Sequence, residues 1–188
     1  MSRRLGRPKQ LLDLGGKPLV AHVVERANAS ALDRVIVVTG QAHGDVATAL
    51  RGADVEVVFN PHFDEGQSTS LIAGVRALPP DADAMVVLLG DQPLIGTSAI
   101  DGLIARRRAH GDAIVMTGYG ETRSHPILFG RELFPELLTP TGDQGAREII
   151  RKHRDDVAVA ESGEASPPAD VDTEEAYAAL LDAWAGRR

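Results

Sequence analysis

The chain contains no cysteine, which excludes a disulfide framework, a thiol nucleophile and a zinc–thiolate centre. No apolar run approaches the ~20 residues that a membrane-crossing helix requires. The opening residues, Met-Ser-Arg-Arg-Leu-Gly, are polar at once and unlike a secretory signal. Basic residues are in the minority, with 20 Lys and Arg against 27 Asp and Glu for a net charge of −7. A general nucleic-acid binder or a membrane-surface protein needs a broad basic face, so neither partner is expected, and a cytoplasmic location is. Several catalytic signatures are also missing. There is no G-x-x-x-x-G-K-[ST], no H-E-x-x-H and no G-x-S-x-G, which disfavours P-loop, zinc-protease and α/β-hydrolase chemistry. Gly118-Tyr119-Gly120 begins like a dinucleotide fingerprint, but residue 123 is Arg where the third glycine belongs.

What is present is an ordinary globular composition, 43% hydrophobic and 25% charged over 188 residues, enough for one domain spanning residues 1–188. Apolar patterns alternate between two periods. Val35–Val38, Val55–Phe59, Met85–Leu89, Ala113–Met116, Pro126–Phe129 and Val157–Val159 read as strands. Helices are expected over Leu19–Ala29 after Pro18, Asp45–Leu50, the Leu71–Leu78 face, the Ile100–Ile104 face, Leu133–Leu138, Ala146–His153 and Thr173–Trp184. The Ser68-Thr69-Ser70 cluster reads as the cap of the third of these, and Pro79-Pro80 stops it. Met85–Leu89 is apolar at every position, as in a strand covered on both faces. Pro126 marks its strand as antiparallel or at an edge. The alternation predicts an open, mainly parallel, three-layer α/β/α sheet, in which ligands bind beyond the carboxyl ends of strands.

That rule selects the candidate residues. Asp91, in Gly90-Asp91-Gln92-Pro93, follows the most apolar strand and reads either as a turn residue or as a metal or catalytic carboxylate. Asp170-Val171-Asp172 puts two carboxylates on one side of an extended segment; the competing role is capping of the last helix by Asp172 or Thr173. Carboxylates from two distant segments suit Mg²⁺ carrying substrate phosphates. Arg3, Arg4, Arg7 and Lys9, with Gly6 and Pro8 between them, form either a solvated terminus or a polyphosphate site. Asn60-Pro61 and Gly66–Ser70 supply turn and helix-start groups able to receive an anion or a ribose. The loops around His125 and Thr141–Arg147 are polar.

Taken together, these segments resemble the MobA-like nucleotidyltransferases, especially the molybdenum cofactor cytidylyltransferase branch. The family opens with a strand and L-A-A-G-x-S-x-R-M-G-x-P-K-x-L-L, and Ser2–Leu12 is similar to its second half. GGKPLV at 15–20, Asn60-Pro61 with GQSTSL at 66–71, GDQPL at 90–94, His125-Pro126, GDQGAR at 142–147 and DVDT at 170–173 resemble the later motifs. The resemblance implies a Rossmann-like fold of the nucleotide-diphospho-sugar transferase type. It implies that Arg4, Gly6 and Lys9 hold a triphosphate and that Asn60, Ser68 and Ser70 lie near the nucleoside. Asp91, Asp170 and Asp172 would hold Mg²⁺, Lys9 and Asp91 would be catalytic, and His125 and Asp143 would face the acceptor. The implied reaction is transfer of CMP or GMP from CTP or GTP to a molybdopterin-type phosphate, releasing pyrophosphate, with transient contact to a molybdoenzyme or its chaperone.

Two departures accompany the resemblance. Residue 124 is Ser where relatives usually have Gly. The opening strand and its L-A-A-G turn are also absent, so the sheet is expected to lose a central member, and a true start upstream is expected. The rival functions are a sugar-1-phosphate or other small-phosphate nucleotidyltransferase, a nicotine-blue-type NAD(P)H oxidoreductase, and a catalytically inactive relative.

Overall fold

The computed structural model describes residues 8–186. A single 3-10 turn, Lys9–Leu11, leads into a small hairpin of β1 (Asp13–Leu14) and β2 (Lys17–Pro18). Pro18 is extended and pre-sets the entry into α1 (Leu19–Asn28), which buries Leu19, Val20, Val23, Val24 and Ala27. There follow β3 (Ile36–Thr39), α2 (His43–Ala49), β4 (Glu56–Phe59), α3 (Gln67–Ala77) and β5 (Ala84–Val87). The chain continues through α4 (Thr97–His110), β6 (Ile114–Tyr119), β7 (Thr122–Gly130), α5 (Phe134–Leu137), α6 (Arg147–Lys152), β8 (Val157–Glu161) and α7 (Glu174–Ala185).

Strands β3 and β4 pair in parallel, Ile36 beside Glu56 and Thr39 beside Phe59. A second sheet has the order β5-β7-β6-β8, and within it β7 alone runs against the others. Successive residues of a strand face opposite sides, and helices cover both. Val115 and Leu128 pack under Ile100, Leu103 and Ile104 of α4. Ile114, Ile127 and Phe129 pack under Val75, Leu137 and Ile149 from α3, α5 and α6. The arrangement is the three-layer, mostly parallel α/β fold that the sequence predicts.

Two strands bear closely on expectation. Pro126 lies in an antiparallel strand, as one of the two readings has it, and that strand is internal, between β5 and β6. The ladder accommodates it because pairing jumps from Met116–Ile127 to Thr117–Ser124, leaving His125 and Pro126 in a bulge. There the Thr117 hydroxyl donates to Pro126 O at 2.8 Å and the Tyr119 hydroxyl to His125 O at 3.0 Å. The displaced carbonyls therefore keep partners.

The apolar run beginning at Met85 is the second, and it departs from expectation. Strand β5 pairs on one side only, with β7, and all four of its residues are half-buried rather than enclosed. Strand β3 pairs only with β4, and Ile36, Val37 and Val38 are also half-buried. Among the described residues the sheet is thus divided between β3 and β5, and each leaves one backbone edge without a ladder partner. Helix α3 spans the division: Val75 packs with Met85 and Val87, and a Cβ on Gly74 would touch Val38 Cγ2 at 3.5 Å.

Candidate active site

The turn after β5 is closed by Gln92 N donating to Leu89 O at 3.2 Å and Ile95 N to Gln92 O at 3.3 Å. It holds Asp91 nearly buried, at 6% exposure. A carboxylate in that setting requires a counter-charge, and Lys9 supplies it. The 3-10 turn, closed by Leu11 N to Pro8 O at 3.0 Å and Leu12 N to Lys9 O at 3.1 Å, directs the Lys9 ammonium onto Asp91 Oδ2. The same ammonium donates to Asp172 Oδ1 at 2.7 Å. Burial alone would favour the neutral amine, but the hydrogen bonds and charges of Asp172 and Asp91 outweigh it and raise the Lys9 pKa above 10.5.

Asp172 reaches this position because its neighbours fix the backbone. Val171 is 1% exposed and packs with Leu12, Leu14, Leu19 and Leu180, which turns Asp170 and Asp172 away from the core. Thr173 performs the capping of α7, its side chain accepting from Ala176 N at 3.1 Å. Asp172 is thereby released from the competing role the sequence allowed. Asp170 takes a different partner: Gln92 Nε2 donates to Asp170 Oδ1 at 2.7 Å and to Pro168 O at 3.3 Å. Gln92 thus tethers the 168–172 segment to the end of β5. No pattern in the sequence signals an amide reaching across 78 positions.

His125 belongs to the same neighbourhood. Burial lowers its pKa from the ordinary 6.5, Asp170 and Asp91 oppose the shift and Arg147 adds to it, so the fold favours the neutral imidazole. Arg147, at the start of α6, is a second participant not singled out from sequence.

The remaining sequence candidates form a separate group around the start of α3. Asn60 is 2% exposed. Its amide donates to Thr69 Oγ1 at 2.9 Å and Ser70 Oγ at 3.1 Å, and its Oδ1 accepts from His62 N at 3.0 Å. Ser68 is fully buried, with its hydroxyl accepting from Gly145 N at 3.0 Å. The capping expected of Ser68-Thr69-Ser70 is corrected, because α3 begins earlier, at Gln67, with Gly66 as N-cap. Asp143 accepts from Gln67 N there at 3.2 Å. A Cβ on Gly66, where φ is +116°, would collide with the Gly142 carbonyl. Ser68 and Asp143 therefore clasp α3 to the 142–145 loop; Ser68 is fully buried there, whereas Asp143 stays exposed. Arg4 and Gly6 lie outside the described residues.

Whether the donor set suits a divalent ion is a question of donor chemistry. One ammonium reaches both Asp91 and Asp172, so the two carboxylates border one cation position. Mg²⁺ usually takes one or two protein carboxylates and keeps water on its other positions, and the pair matches that donor number. Among the described residues no group of three or more His, Cys, Asp or Glu is placed to hold a metal, and Asp170 faces Gln92 rather than the shared position. The Gly118–Tyr119 segment, meanwhile, is part of β6 and turns into β7, with Tyr119 beside Thr122. It does not open a helix, as a dinucleotide-binding turn must.

The fold is that of the nucleotidyltransferases. A homologue of Rv0371c from Mycobacterium sp. strain JC1 superimposes with a TM-score of 0.87 at 32% identity, over 100% of this chain and 93% of that one. The Rv0371c protein of Mycobacterium tuberculosis, crystallised as a manganese complex, gives a TM-score of 0.82 at 28% identity, over 93% of this chain and 91% of that one. The chain belongs to the MobA-like NTP transferase domain family, whose sequence model matches residues 1–157. Among relatives, the purine catabolism protein PucB of Bacillus subtilis (strain 168) is 28% identical over 94% of this chain and 89% of its own length. A 3-deoxy-manno-octulosonate cytidylyltransferase of Pectobacterium carotovorum (strain PC1) is 44% identical over 71% of this chain and 50% of its own. No helix among the described residues is long and apolar enough to cross a membrane.

Proposed function

We propose that this nucleotidyltransferase moves a CMP or GMP group from CTP or GTP to a molybdopterin-type phosphate and releases pyrophosphate. The observation that carries the reading is the convergence of Lys9, Asp91 and Asp172 at the carboxyl end of β5. An acceptor phosphate oxygen attacks the α-phosphorus, a new P–O–P link forms, and the α–β bridging bond breaks with its electron pair leaving on pyrophosphate. Asp91 and Asp172 would hold Mg²⁺, with Asp170 close by; when bound, the ion neutralises phosphate charge. Lys9, together with Arg4, binds the triphosphate, and Asn60 and Ser70 shape the adjoining turn near the nucleoside. His125, neutral and beside Arg147, faces the acceptor phosphate as a hydrogen-bonding group. Positioning and charge neutralisation supply most of the rate in such transfers.

A second reading keeps the chemistry and changes the acceptor to a sugar phosphate or other small phosphate; the cytidylyltransferase relative, named for a sugar acid, supports a sugar-type acceptor without specifying a phosphate. A transient partner of the first reading would be the molybdoenzyme, or its chaperone, that receives the product. Isothermal titration with CTP, GTP, ATP and UTP, each with MgCl₂, tests the donor. Pyrophosphate release with molybdopterin against sugar phosphates tests the acceptor. Binding of none of the four nucleotides would overturn the proposal.

A further inference from the structure

Lys9 occupies the position between the two carboxylates that a divalent ion would need. Its ammonium is within hydrogen-bonding reach of both Asp91 and Asp172, and it is well enclosed, at 22% side-chain exposure against 8% for Asp91. A divalent cation entering beside it would share the same two oxygens with a like charge a few ångströms away. Asp91 is too buried to remain without a counter-charge, so the two cations can only exchange, one leaving as the other arrives. Lys9 in turn needs a new anionic partner, and the most highly charged one the proposed reaction brings is the triphosphate of the incoming nucleotide.

We infer that Lys9 is a resident surrogate cation, displaced from Asp91 and Asp172 only when nucleotide and divalent metal arrive together, so that the site loads a metal–NTP complex and rejects the free ion. The inference rests on the nucleotidyltransferase reading above and adds an order of binding to it. The exchange is balanced in contacts: two lysine–carboxylate bonds are replaced by carboxylate–metal and lysine–phosphate bonds. Because binding free energies are linked, nucleotide raises metal affinity by the same factor as metal raises nucleotide affinity. The 3-10 turn suits the swing, since Lys9 is tied to it through its backbone alone and its four-carbon stem leaves the ammonium free to turn.

The test uses Mn²⁺ as the ion and water-proton relaxation as the readout, because relaxation is strongly enhanced only when Mn²⁺ is held on the slowly tumbling protein. The wild-type chain should hold MnCl₂ weakly alone and at least tenfold more tightly with CTP or GTP. Lys9→Met keeps the stem and removes the charge, and should bind Mn²⁺ alone at least tenfold more tightly than wild type. Lys9→Arg keeps the charge and should suppress free-ion binding as wild type does. Circular dichroism checks that each variant folds, and Lys9→Gln replaces Lys9→Met if the latter does not. Unimproved free-ion binding in the uncharged variant, with wild type still loading Mn²⁺ alongside nucleotide, overturns the exchange and leaves the enzyme reading standing. Failure of every protein to hold Mn²⁺ with any nucleotide overturns both.

Discussion

Asp91 and His125 show how single residues take their chemical character from their surroundings. Asp91 is held by a turn, shielded from water and paired to one ammonium. Asp91→Asn preserves its shape and its hydrogen bond to Lys9 while removing the charge. It should lower metal-dependent pyrophosphate release at least 100-fold and leave the far-ultraviolet circular dichroism unchanged; near-normal turnover would remove Asp91 from the mechanism. His125 gives a pH signature. Burial lowers its folded pKa below the ordinary 6.5, so the unfolded chain binds the proton more readily. Its contribution to stability is complete above pH 6.5 and is lost as pH falls through the lowered folded value. The urea midpoint should drop between pH 7.5 and pH 5.5, and His125→Gln should flatten that slope. An identical slope in the variant would assign the acid sensitivity to other groups.

At the scale of elements, most helices and strands were legible because their apolar periods are local properties. Helices α1 and α7 lie within a residue of the predicted 19–29 and 173–184, whereas the short β1–β2 hairpin before α1 carries no apolar period to announce it. Three features were not legible, each because its cause lies in a partner outside its own segment. The start of α3 is set by Asp143, 76 positions away, and not by its own serines. Pro126 sits inside a sheet because a bulge absorbs it. The enclosure expected of Met85–Leu89 fails because, among the described residues, β5 has a neighbour on one side only. That last point yields a measurable asymmetry. Amides of β3 and β5 that point into the division should exchange with deuterium orders of magnitude faster than those of β6, which is paired on both sides. Equal protection across the three strands would show that the division is closed in solution.

For the molecule as a whole, the pairing of Lys9 with Asp91 and Asp172 depends on the core. Asp91 and Lys9 were individually legible from motif and sheet position, and so was the Asp170/Asp172 pair. Their meeting was not, since it follows from Val171 entering the Leu12, Leu14, Leu19 and Leu180 cluster and from Gln92 tethering Asp170. Val171→Ala should therefore lower stability by roughly 1–3 kcal/mol and also weaken Mn²⁺ loading in the presence of nucleotide severalfold. A stability loss with unchanged loading would show that the tether alone suffices. Asp172 lies 163 positions beyond Lys9. A chain in which every strand has paired but the 168–172 segment is undocked still lacks one of the two carboxylates that meet the Lys9 ammonium, so this contact registers tertiary closure rather than sheet formation.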